Sequence, residues 1–284
     1  MELISSGDVY HPKRFFSLTF FFSWILFFAA AYSSHHNTSE SIIYLFFSLA
    51  VMTPALVTFY MIWGSGNPAL KKDFWGRLLG LRLLRLKFVL FAIALMPVTI
   101  IAATLLSIPA GESSEQFRLS SAFFTLNDSP VLVLLVAMLF APTFEEIAWK
   151  GYGIDSLLSQ GGSVFNATMR FGVLWTIWHL PLFFIKNYYH YSVMQANVWF
   201  GLNIILSILP IAFLSSWLFF KSDRSILIAI LFHAAINISM SVLNTGQIAK
   251  CFVTLILYVI IVALIVSDRP FWLENHRGDN AVRS

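Results

Sequence analysis

Five residues with acid–base or hydrogen-bonding chemistry stand in stretches that are otherwise apolar. Glu145 and Glu146 lie in APTFEEIAWKGYG, His179 in LWTIWHLPLFF, and His233 with Asn237 in ILFHAAINIS. Ionisable groups in membrane-spanning segments are energetically expensive and by default mark function. A buried carboxylate can act as a general base toward water. Glu145 fits that role, and His179 can assist the same water or protonate a leaving group. His233 and Asn237, four apart on one helix face, offer N–H donors to a developing oxyanion. A second reading uses Glu145, His179 and His233 as ligands of a catalytic zinc with one open position. Both readings end in hydrolysis of an acyl bond in or at a membrane.

Spacing gives these groups neighbours. Glu146 and Lys150 are four apart in the favourable acid-before-base order and can pair. Trp175 precedes His179 by one turn and can wall its ring. Adjacent Glu145 and Glu146 point about 100° apart on a helix, so only one can aim at a shared centre. Pro142 and Pro181 flank the cluster and loosen the backbone there, which at membrane depth is tolerated around a water-containing cavity or within protein.

The elements that must position these residues are membrane helices. Of the 284 residues, 58% are hydrophobic and 11% charged, and the mean hydropathy is +0.77. Soluble domains carry roughly 25% charged residues, and disordered chains are poor in apolar ones, so both classes are excluded. The single Cys251 cannot form an intramolecular disulfide. Segments 15–33, 42–63, 88–108, 131–153, 164–185, 198–220, 225–245 and 250–267 are each apolar over about the length a span requires. They predict an all-α, polytopic bundle of about eight transmembrane helices, forming one integral membrane domain over 1–284. With the N-terminus in the cytoplasm, all but Arg118, Lys186 and Lys250 of the 18 Lys and Arg residues fall on that side. This bias sets orientation and predicts both termini in the cytoplasm of a multi-pass cell-membrane protein. On that frame Glu145, His179 and His233 each lie about 12 Å inside the cytoplasmic edge. The loop at 69–87, ALKKDFWGRLLGLRLLRLK, reads as an interfacial helix with its basic face toward phosphates, serving first as a topology signal and surface anchor.

Other hydrolase signatures are missing. There is no H-E-x-x-H and no G-x-S-x-G. Gly151-Tyr152-Gly153-Ile154-Asp155 reads as a turn ending its helix. His35 and His36 read as solvated, and His190, among Tyr188, Tyr189 and Tyr191, as part of an aromatic interfacial belt.

Three motifs in separate apolar segments then carry a resemblance: Glu145-Glu146-x-x-x-Lys150-Gly151, Trp175-x-x-x-His179 and His233-x-x-x-Asn237. In order and separation they resemble the CAAX protease and bacteriocin-processing (CPBP, or Abi) family, which includes the Ras-converting CAAX endopeptidase. The resemblance covers about 131–245. It implies an intramembrane endopeptidase, with Glu145 as water-activating base, Glu146 helping to hold the site, His179 working with the base, and His233 and Asn237 stabilising the oxyanion. The family is described both as metalloproteases and as glutamate-dependent proteases; the metal-free reading is preferred here, with zinc as the alternative. Lys150 stands where the family usually has Arg, which allows looser positioning of the glutamates, and Trp175 where it has Phe. The expected partners are membrane lipid and a peptide or membrane-protein substrate, with no nucleic acid; nothing in the sequence speaks to oligomeric state. Two other classes compete: a catalytically idle scaffold or immunity-type protein of the same fold, and a proton-coupled transporter, which would show paired repeats that this chain lacks.

Overall fold

The computed structural model describes residues 9–36, 38–120 and 131–275. It is helical throughout, and the described residues contain no strand, only two isolated bridges. The long helices are α1 (Pro12–His35), α2 (Glu40–Gly64), α4 (Leu86–Ser107), α5 (Val131–Ala148), α7 (Val164–His179), α9 (Val198–Lys221), α10 (Ile226–Val242) and α11 (Gln247–Ser267). Short helices α3 (Pro68–Leu78), α6 (Ile154–Leu158), α8 (Tyr189–Ala196) and α12 (Arg269–Leu273) connect or cap them. Polar side chains set the starts. Asn67, Ser163, Asn197 and Ser225 accept from backbone N–H groups in the first turns of α3, α7, α9 and α10, groups that otherwise have no partner within the helix.

Each of the eight predicted apolar segments coincides with helix. Five of these helices, α1, α2, α4, α9 and α11, are long and apolar enough to cross a membrane by themselves. Between 28% and 39% of their most apolar stretches is buried inside the protein. The remainder is partly buried or exposed, and Phe21, Ile25, Leu56, Leu90, Val98, Val259 and Val262 are exposed, as lipid solvation requires. A sixth span exists if Val164–Phe184 and α8, bent by 77°, are one broken segment. The apolar α10 is shorter, at 17 residues.

Two cores organise the bundle. One joins α1, α2, α3 and α7 through Phe15, Phe27, Ile62, Phe74, Phe171 and Trp178. The other joins α4, α9, α10 and α11 through Met96, Leu214, Phe232 and Leu257. Helix α5 packs on α2 from the first group and on α10 from the second, so its end lies at the seam.

Three local expectations are corrected there. The chain does not stop at Gly151–Gly153. It passes through a π-helical turn, Trp149–Gly153, and continues into α6, with the Ile154 N–H donating to the Trp149 carbonyl five residues back. The two glycines leave room for neighbours: a Cβ on Gly151 would stand 2.9 Å from the Phe74 ring, and one on Gly153 3.2 Å from Phe15. The widened turn also carries Lys150 off the face of Glu146. Lys150 is fully buried; its Nζ lies 3.1 Å from Ser216 Oγ and 4.2 Å from the centre of the Phe171 ring, and it makes no ion pair with either glutamate. Residues 69–87, finally, are not one basic-face-out helix. Helix α3 ends at Leu78, and a 3-10 turn follows at Leu81–Leu83. Its buried face holds Leu70, Phe74 and Leu78 together with Arg77.

Arg77 is 3% exposed. Its Nε donates to Asp73 (2.8 Å), Nη1 to the Lys150 carbonyl (2.8 Å) and to Asp155 (3.1 Å), and Nη2 to the Gly151 carbonyl (3.1 Å). Arg224 completes the network with Asp155 at 2.6 Å and Asp73 at 3.2 Å. It is presented from a turn in which Asp223 and Arg224 both have positive φ, 54° and 63°, a backbone conformation unusual for such residues.

Burial alone would raise the Asp73 carboxyl, but Arg77 and Arg224 outweigh it and hold the group below its ordinary value. A folded-state value below the unfolded one stabilises the protein above the unfolded value, and that contribution is lost as pH falls through the folded one. The thermal midpoint in detergent should therefore drop as pH falls below about 4, and Asp73→Asn should lower the neutral-pH midpoint while flattening the acid limb. Lys150→Arg forces a longer fork into space packed by Phe171 and Ser216; thermal unfolding should show a loss of about 1–3 kcal/mol.

Candidate active site

The end of α5 places its two carboxylates in different partnerships, as their angular separation requires. Glu145, 5% exposed, receives two indole N–H bonds on one oxygen, from Trp175 Nε1 at 2.9 Å and Trp149 Nε1 at 3.3 Å. Glu146, 1% exposed, holds the Nδ1 of His233 at 2.9 Å through Oε1, while its Oε2 is buried without a hydrogen-bond partner. This second contact ties α5 to α10 across the seam between the cores.

Trp175 is the centre of the arrangement. Its ring meets those of His179 and His233 edge-on, each with centroids 5.6 Å away, and stacks on Phe171 at 15°. Its carbonyl accepts from His179 Nδ1 at 2.7 Å. A carbonyl only accepts, so Nδ1 carries the hydrogen and Nε2 is the nitrogen left for chemistry. The Glu146 carboxylate orients His233 in the same way, leaving its Nε2. Each imidazole is thus fixed through one nitrogen and available through the other, the arrangement by which a second group sets a histidine's tautomer.

The residues singled out by sequence do not all meet. Glu145, His179 and His233 contact Trp175, and Glu146 joins them through His233. Asn237 lies one turn beyond His233, partly buried, and its backbone carbonyl accepts from Ser241. Lys150 points away, to Ser216 and Phe171. Among the described residues no three His, Cys, Asp or Glu side chains form a group that could hold a metal, and the Trp175 ring stands against both imidazoles.

Three participants escaped the sequence reading, and a fourth, Trp175, has a further role. Trp149 is four residues from Glu145, so helical spacing alone could have found it. Trp175 was expected as a wall, yet its indole N–H also bonds the candidate base. Arg77 carries no signal, because nothing in a surface loop announces contact with residues 150 and 151. His190 was assigned to an interfacial belt. The fold brings it back over the site instead, its ring parallel to that of His179 within 7° at 6.3 Å and stacked on Tyr188.

Two comparisons bear on this geometry. A family model described as type II CAAX prenyl endopeptidase Rce1-like matches residues 127–239, the stretch that holds both glutamates and both histidines. The "CAAX prenyl protease 2" of Methanococcus maripaludis is 40% identical over 270 residues, covering 95% of this chain and 98% of the relative. Such agreement over nearly the full length of both chains, with the helices and the buried carboxylate–histidine cluster, makes this a multi-pass membrane protein that belongs to the Rce1-like CAAX prenyl endopeptidase (CPBP) family of intramembrane proteases.

Proposed function

We propose that this protease hydrolyses its substrate with Glu145 as the general base, without a metal, close to the cytoplasmic face. The observation that carries the reading is the environment of Glu145. The carboxylate is buried, its hydrogen-bond partners are two neutral indoles, and among the described residues no cation lies within ion-pair distance. A structural carboxylate at this depth would be expected to have a cationic partner. Neutral N–H donors orient the group without a counter-charge to quench it.

The steps follow from the free nitrogens and oxygens. Glu145 takes a proton from water as the oxygen attacks the scissile carbonyl. The proton passes to the leaving amine, with His179 Nε2 assisting. His233 Nε2 is the donor offered to the developing oxyanion, with Asn237, one turn further along α10, as the second donor in this reading. A His233 ring that donates Nδ1–H to Glu146 and Nε2–H to an oxyanion carries both protons, and the Glu146 carboxylate supplies its counter-charge. The donor set supports the metal-free form, because Glu145 Oε2 is engaged by two indoles and, among the described residues, the candidate ligands form no group that could hold a metal. For the substrate we propose the class that the name of the Methanococcus maripaludis relative gives, a prenylated CAAX segment, presented from the membrane.

Proteoliposomes assayed with such a peptide should cleave it. Glu145→Ala and His179→Ala should each lose about 10²–10⁴-fold in rate, and a strong chelator should leave wild-type activity intact. Loss with chelator and recovery with zinc would replace this mechanism by the metal one, and cleavage by Glu145→Ala would refute the base. Trp175→Phe keeps the wall and removes one bond to a charged oxygen, so kcat should fall about tenfold.

A further inference from the structure

We propose that Arg77, on the surface helix α3 and outside all three motifs, is a positioning residue of the active site. It acts through the π-turn, and the inference rests on the protease reading above. The contact is specific. Arg77 donates to the carbonyls of Lys150 and Gly151, the two residues directly after Trp149, whose indole helps aim Glu145. A π-turn breaks the regular i to i−4 ladder, and a buried carbonyl needs a replacement donor. The planar guanidinium supplies one to each carbonyl and still reaches Asp73 and Asp155. The single nitrogen of lysine cannot span that set. The tight fit of Phe74 against Gly151 and the Arg224–Asp155 pair hold the clamp from either side. Without the guanidinium the turn relaxes toward α-helical spacing, Trp149 rotates, and Glu145 loses a donor while Trp175, His179 and His233 stay in place. The signature is therefore a fall in turnover with substrate affinity kept.

The test compares Arg77→Lys and Arg77→Ala with wild type in proteoliposomes. Both should lower kcat by about 10–100-fold, the size seen when a supporting partner of a reactive group is removed, with KM within about twofold. Low-millimolar guanidinium should restore part of the kcat of Arg77→Ala and none of that of Glu145→Ala. Hydrogen exchange, read by mass spectrometry, should show protection lost at residues 149–155 in Arg77→Ala, regained with guanidinium, and unchanged in α11. Unchanged kcat in both variants overturns the proposal. So does protection lost evenly across the bundle without rescue, which marks Arg77 as a general stabiliser. If wild type cleaves nothing, the protease reading fails on its own, and the exchange experiment still decides whether Arg77 orders the turn.

Discussion

Hydrocarbon offers no water to an unpaired polar group, and the site is arranged around that constraint. Most of the carboxylate, imidazole and irregular carbonyl groups near the seam take their partners from protein. Two indoles serve Glu145, an imidazole serves Glu146, a backbone carbonyl serves His179, and a guanidinium serves the π-turn. These partnerships leave one nitrogen of each histidine uncommitted. The reactive surface is what remains once the obligatory bonds have been made. An aromatic-rich composition suits this scheme, because tryptophan fills the core as a large hydrophobe and still carries an N–H. Trp149 and Trp175 do both, each at most 4% exposed and each bonded to the same oxygen.

The site also lies where two packing units meet. Glu145, Trp149 and Trp175 belong with the α1–α2–α7 side, and His233 projects from α10, which packs chiefly with α4 and α5. The Glu146–His233 bond crosses between them. A small displacement of one unit against the other would therefore change the distance between base and oxyanion donor without unfolding either core.

The helical plan was legible in the sequence because hydropathy reports solvation by lipid directly, and eight apolar stretches leave little choice of secondary structure. The cluster of Glu145, Glu146, His179 and His233 was legible for the same reason: polar residues stand out against such a background. Orientations were not. Helical spacing placed Lys150 on Glu146, and the π-turn moved it to Phe171 and Ser216. Apolar length made 164–185 look like a single span loosened at Pro181, while α7 ends at His179, a 3-10 turn containing Pro181 follows, and the next helix bends away. The partner of the π-turn carbonyls, 73 residues upstream of Lys150, has no local signal, since a buried arginine and a surface arginine look the same in a basic loop. Long-range pairing of charge is a property of the packed structure, and periodicity does not encode it.

The Asp73–Arg77–Asp155–Arg224 network has a consequence for biogenesis. The chain is made from its N-terminus, so α3 emerges with its cation before Asp155 has been synthesised and well before Arg224. Until then the arginine that ends up sealed must wait in water at the bilayer surface, paired at most with Asp73 from its own helix. Docking of α3 is in this sense a late event of assembly, licensed by residues from the second half of the polypeptide. A nascent protease truncated before Arg224 would hold both Glu145 partners, Trp149 of the π-turn and Trp175 of α7, and lack the last member of the lock and His233, and so would remain inert while still attached to the ribosome.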